Sequence, residues 1–201
     1  MENKKMKNLA STLDTIAKVG GEIFRAVGIV CAVMAVLVLI FGEKMIADTG
    51  EASLDLGFVK LFLADSVVVN TGFMNAYVIV GLLTALMVCF AVFFALRILH
   101  SVLEPMKDGR PFEAEVPQGL RKLAWVTLAC GVFTEVMHVV EGVILSHAYE
   151  LDTILSSDAV AKIELNYTLD FGFAFIFAII MFLSYVFEYG QKLQKESDET
   201  L

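Results

Sequence analysis

Glu135, His138 and Glu141 are the side chains whose types and spacing could do chemistry in this sequence. They stand at i, i+3 and i+6, so on one α-helix they spread over about 120° of its circumference. Glu135-Val-Met-His138 has the Glu-x-x-His spacing of di-metal carboxylate bundles, which also need a second such pair and two further carboxylates from other helices. The first and second apolar stretches of this chain carry no carboxylate, so the two-metal arrangement is rejected. A single ion held by Glu135 and His138, with Glu141 or Asp170, is a weaker reading. A proton or ion path along the same face is another. We favour a reading without chemistry, in which Glu135 and His138 pair to hold helix register and Glu141 marks where the helix leaves the bilayer. No cofactor is implied.

These residues sit in one of four apolar blocks. Hydrophobic residues make up 58% of the chain and charged residues 19%, with mean hydropathy +0.74. Soluble domains run at about 45–50% and about 25%. The blocks predict transmembrane helices over about 23–41, 76–96, 123–144 and 171–187. Residues 76–96 are free of charge and closed by Arg97. Phe171, Phe173, Phe175 and Phe177 alternate as in a strand, but an open strand in lipid leaves its backbone unpaired, so a helix is expected. An ionisable group near mid-membrane, as Glu135 would be, costs at least ~2.5–3.5 kcal/mol unless paired, neutral or wet.

Between the blocks the chain is polar. Residues 1–22 repeat Leu9, Leu13, Ile16 and Ile23 at steps of three and four, with the lysines off that stripe. This predicts an amphipathic helix on the membrane surface, from which the chain turns inward. The stretch 42–75 is acidic, with Glu43, Asp48, Glu51, Asp55 and Asp65, and Leu54–Val69 reads as either a strand pair or an interfacial helix. A second acidic stretch, 146–170, has Lys162 as its one basic residue. The central stretch, Arg97–Lys122, holds all three prolines, Pro105, Pro111 and Pro117. Asp108-Gly109 is a turn signal there, and Pro117 suits a first helical turn. The tail, 188–201, is polar.

Twelve Lys and Arg residues lie in residues 1–25, the central connection and the tail; three lie in the acidic stretches. The positive-inside rule then places both termini and the central connection in the cytoplasm. The fold class expected is all-α: an antiparallel four-helix membrane bundle with an N-terminal amphipathic helix and two acidic outer loops. Its domains would be 1–22, the four-span body 23–187 and the tail 188–201.

Cys31, Cys89 and Cys130 all fall within apolar blocks, which argues against a disulfide framework. They read as small helix-contact residues, with a soft-metal or redox role the weaker alternative. Phosphate-cradling loops, nucleophile elbows and zinc-protease motifs are absent from the sequence, so an enzyme is not expected. The net charge of −8 disfavours direct nucleic-acid binding.

Lys-Asp-Gly-Arg-Pro-Phe at 107–112, Gly-Leu-Arg-Lys-Leu-Ala-Trp at 119–125 and the tail from Glu188 to Leu201 resemble a known family. It is the bacterial four-helix membrane domain-of-unknown-function family twenty-nine seventy-five. The resemblance extends over the whole chain in layout and implies a bacterial cytoplasmic-membrane protein. It also implies a gene that often neighbours a helix-turn-helix regulator of the Cro/repressor type. No catalytic residues come with it. The leading expectation is a membrane-resident sensor or regulator whose Lys107, Asp108, Gly109, Arg110, Pro111 and Phe112 meet a cytoplasmic partner. A small transporter or ion-conducting subunit using Glu135 and His138, or an immunity-type membrane protein, are the alternatives.

Overall fold

The computed structural model describes residues 2–47, 53–55, 60–62, 70–110, 112–148 and 169–199. Asp48, Glu51, Asp65, Pro111 and Lys162 lie outside them. Four long helices dominate: α1 (Glu2–Ala47), α2 (Thr71–Lys107), α3 (Glu115–Ala148) and α4 (Gly172–Glu199). The architecture is all-α, and each helix is long and apolar enough to cross a membrane. One short antiparallel hairpin, β1 (Ser53–Asp55) with β2 (Lys60–Phe62), pairs Leu54 with Leu61. The strand-pair reading of that stretch therefore holds for these residues.

The described residues fall into two compact units. The first takes in residues 1–29, 87–134 and 170–201 and contains parts of all four helices. In it, α1 and α2 run antiparallel, with Asp14 reaching His100 and Lys107 while Gly20 lies against Leu96 and Gly21 against Phe93. α3 and α4 do likewise: Pro117 meets Ser184, Trp125 meets Phe177 and Gly131 meets Phe173. A core of Val102, Val116 and Leu120, with Met106, Ile180 and Phe187 against it, joins α2, α3 and α4. The second unit, residues 30–86 and 135–169, holds the hairpin and stretches of α1, α2 and α3.

The N-terminal helix differs from expectation in one respect. It does not end on a surface and turn, but continues unbroken from Glu2 to Ala47. Its apolar stripe is left free by the other helices, as a stripe turned to the membrane requires. Leu9, Leu13, Ile16 and Ile23 are exposed, Ile16 at 61%. The buried face is Ala10, Asp14, Ala17, Gly21, Gly28, Ala35, Val38 and Gly42. Small residues let helix backbones approach closely, and in lipid a large apolar side chain gains nothing by turning inward. The same logic leaves Phe175 of α4 70% exposed.

α4 is helical from Gly172, so the alternating phenylalanines do not form a strand. α2 passes through Pro105 and stops at Lys107, so the connection between α2 and α3 is much shorter than Arg97–Lys122. Gly109 explains the stop. It adopts φ 83°, its N–H bonds the Met106 carbonyl at 3.1 Å, and the Arg110 N–H bonds the Pro105 carbonyl at 2.9 Å. That pair of bonds is a Schellman cap, which satisfies carbonyls the helix end would otherwise orphan.

Candidate functional site

The most concentrated group of ionic contacts lies at the end of the first unit that carries the α2–α3 connection. Asp14 of α1 is 5% exposed. It accepts a hydrogen bond from Lys107 Nζ at 2.8 Å and another from His100 Nδ1, and pairs with Lys18 Nζ at 3.3 Å. Burial pushes its carboxyl up, but the hydrogen bonds from Lys107, His100 and Lys18 outweigh that and hold it down at about 2, against an ordinary 3.8. Asp14 and Lys18 precede the span beginning at Ile23, and His100 and Lys107 follow the one ending at Leu96, so the group stands outside the apolar segments. A carboxylate buried with three basic partners is a clasp between α1 and α2.

The connection itself is tied inward. Lys107 is committed to Asp14, which holds its own pKa above the ordinary lysine value. Arg110 pairs with Asp108 at 3.2 Å and with Glu113, and these carboxylates raise its pKa. Phe112 packs on Phe187 with ring centroids 6.1 Å apart and lies over Gly190, where a Cβ would strike the ring. Further along, Arg121 pairs with Glu188 and lies 5.3 Å over the Tyr185 ring. Ser184 Oγ, fully buried, donates to the Pro117 carbonyl at 2.8 Å. Of the six predicted partner-loop residues, Lys107, Asp108, Gly109, Arg110 and Phe112 thus each take part in intramolecular structure; Pro111 lies outside the described residues.

Between this connection and the tail of α4 lies an open cleft of about 470 Å³. Arg110, Phe112 and Glu113 form one wall, and Gln191, Gln194 and Asp198 the other. Phe112 is 39% exposed there.

The predicted intramembrane face is not one environment. Glu135 is half-buried, His138 is exposed and Glu141 is half-buried. Glu141 reaches α2, where Thr84 Oγ1 donates to its Oε1 at 3.0 Å and also bonds the Val80 carbonyl at 2.9 Å. Among the described residues no three His, Cys, Asp or Glu side chains stand close enough to hold a metal. Cys31, Cys89 and Cys130 are not joined in disulfides.

Asp14 and His100 escaped the sequence reading because neither belongs to a motif. The available signal was the seam of small residues on α1, with Asp14, Gly21, Gly28, Ala35 and Gly42 at steps of seven. A carboxylate in register with glycines and alanine belongs to the packed face, and so needs partners.

Four helices, each long and apolar enough to cross a membrane and each with large apolar side chains exposed, define a multi-pass membrane protein. The chain belongs to the family described as protein of unknown function (DUF2975), whose sequence model matches residues 71–201. That match opens at the start of α2, so α1 and the β-hairpin lie outside it. No curated protein and no solved structure matches the chain.

Proposed function

We propose that the protein is a membrane-resident regulatory partner that presents the α2–α3 connection and the α4 tail to a cytoplasmic protein. The observation that carries this reading is the cleft between Phe112 and the Gln191–Asp198 stretch of α4. It combines a half-exposed aromatic ring with a polar rim, the composition of a protein-recognition surface. The tail remains helical to Glu199, so its side chains are presented in a fixed order. The distribution of basic residues supports a cytoplasmic-membrane location with both termini and this cleft on the inner side. The family resemblance points to a helix-turn-helix regulator encoded beside the gene as the partner.

The test is co-purification of that regulator with the full chain from membranes. Gln194→Arg combined with Asp198→Arg alters the exposed tail without touching the clasp or the Schellman cap. Retention by the wild type and loss by the double variant is the expected result. Equal retention by both, or by neither, overturns the reading.

A further inference from the structure

We infer that the recess between α1 and α2, walled by Arg25 and Arg97, is a binding site for the headgroup phosphate of an anionic glycerophospholipid. The recess has a volume of about 420 Å³ and lies wholly within the first unit. Lys18, Arg25, Arg97 and His100 line it, against Glu22 as the one acid. Most of that charge is already answered. Lys18 and His100 serve Asp14, and Arg25 pairs with Glu22 at 2.5 Å. Arg97 is exposed and makes no ion pair among the described residues. A second recess of about 440 Å³ shares Arg97 and His100 with the first and adds one base, Lys122, and one acid, Glu115. Arg97 is therefore an unanswered guanidinium in the wall of two adjoining recesses, free to take a phosphate by its two-pronged fork.

The depth of the recess selects a lipid over a dissolved anion. Arg25 immediately precedes the charge-free stretch 26–41, and Arg97 immediately follows the charge-free stretch 76–96. Both arginines thus mark the boundary between hydrocarbon and water, where phosphodiesters reside. The floor is apolar: Phe93 and Leu96 line it beside Ala17 and Gly21. Small residues on α1 leave the space, with Gly21 having only the edge of Phe93 opposite it, 3.7 Å from where a Cβ would stand. A glycerol backbone and the first methylenes of an acyl chain fit such a floor; a free phosphate would leave it wet. A zwitterionic lipid offers the same phosphate but brings its own cation, which the unanswered Arg97 would repel.

The experiment is native mass spectrometry of the full chain in detergent, titrated with phosphatidylglycerol and with phosphatidylcholine of the same acyl chains. Glycerol 3-phosphate and inorganic phosphate serve as separate arms. Phosphatidylglycerol should be retained at least fivefold more strongly than phosphatidylcholine, and Arg97→Gln should cut its retention by roughly fivefold, the effect of one basic side chain near an anionic surface. Arg25→Gln, on the opposite wall, should reproduce the loss should Arg97→Gln not fold, and Arg97→Lys should recover part of it. Lys192→Gln, on the α4 tail, should bind as the wild type does. Equal retention of the two lipids overturns the inference. So does wild-type retention by both arginine variants, a loss in Lys192→Gln as large as in Arg97→Gln, or binding of glycerol 3-phosphate or inorganic phosphate as strong as that of the lipid.

Discussion

Lys107, the last residue of α2, donates a 2.8 Å hydrogen bond to Asp14, which is buried on α1. The two are separated by 93 residues of sequence. Lys107 lies within the residues the family model matches and Asp14 lies before them. The contact therefore fastens a helix outside the match to the helices within it, at the point where α2 stops.

Asp14→Asn removes the charge but keeps the shape, leaving Lys107 and His100 without a carboxylate. It should lower unfolding free energy by about 2 kcal/mol, the usual loss when a charged hydrogen-bond partner is neutralised. Thermal unfolding in detergent reads this. Combining it with Lys107→Met should cost less than the sum of the single changes, because both break one interaction.

The acid limb of stability should carry the same signature. The carboxyl of Asp14 is held at about 2 in the folded state, against 3.8 ordinarily. A depressed pKa adds stability that is fully present above the unfolded value and disappears as pH falls through the folded one. The wild type should therefore lose this contribution between pH 3.8 and about 2, and Asp14→Asn should lack that part of the slope. Unfolding midpoints measured across that range check it.

Gly131 and Gly81 make a matched pair. A Cβ on Gly131 would land on the Phe173 ring, whereas one on Gly81 would meet nothing within 4 Å. Gly131→Ala should destabilise by about 1–3 kcal/mol, the ordinary cost of overpacking. Gly81→Ala should be neutral or slightly stabilising, since alanine favours the helix. Detergent unfolding of the two variants side by side distinguishes them.

Thr84→Val keeps the shape of the side chain and deletes its bond to Glu141. Interhelical hydrogen bonds in membranes contribute about 0.6 kcal/mol on average and about 1.7 at most. A loss in that range is expected. A much larger one would mean that Glu141 depends on Thr84 for its tolerance in the apolar segment.

Gly109→Ala tests the cap at the end of α2. At φ 83° a Cβ crowds the following carbonyl, at a cost of about 1–2 kcal/mol. The loss should appear as destabilisation of the connection, read by faster amide exchange in residues 106–110.

Sequence alone determined that this chain crosses a membrane on four helices. Hydrocarbon cannot hydrogen-bond a backbone, so blocks such as 76–96 have no other solution, even where Phe171–Phe177 alternates like a strand. The turn at Asp108-Gly109 and the helix start around Pro117 were legible for the same local reason: each is decided by its own residues. Tertiary structure decided which face of each helix is buried. In water large apolar side chains such as Val30, Val33 and Leu37 of α1 would mark the packed side, but they are exposed, because lipid solvates them as well as protein does. The seam of Gly28, Ala35 and Gly42, which continues back to Asp14 and Gly21, took that place because close backbone approach, not apolar area, is what draws helices together in a bilayer. The fate of Asp14 followed from that choice of face, since its partners lie 86 and 93 residues away and only packed helices bring them to it.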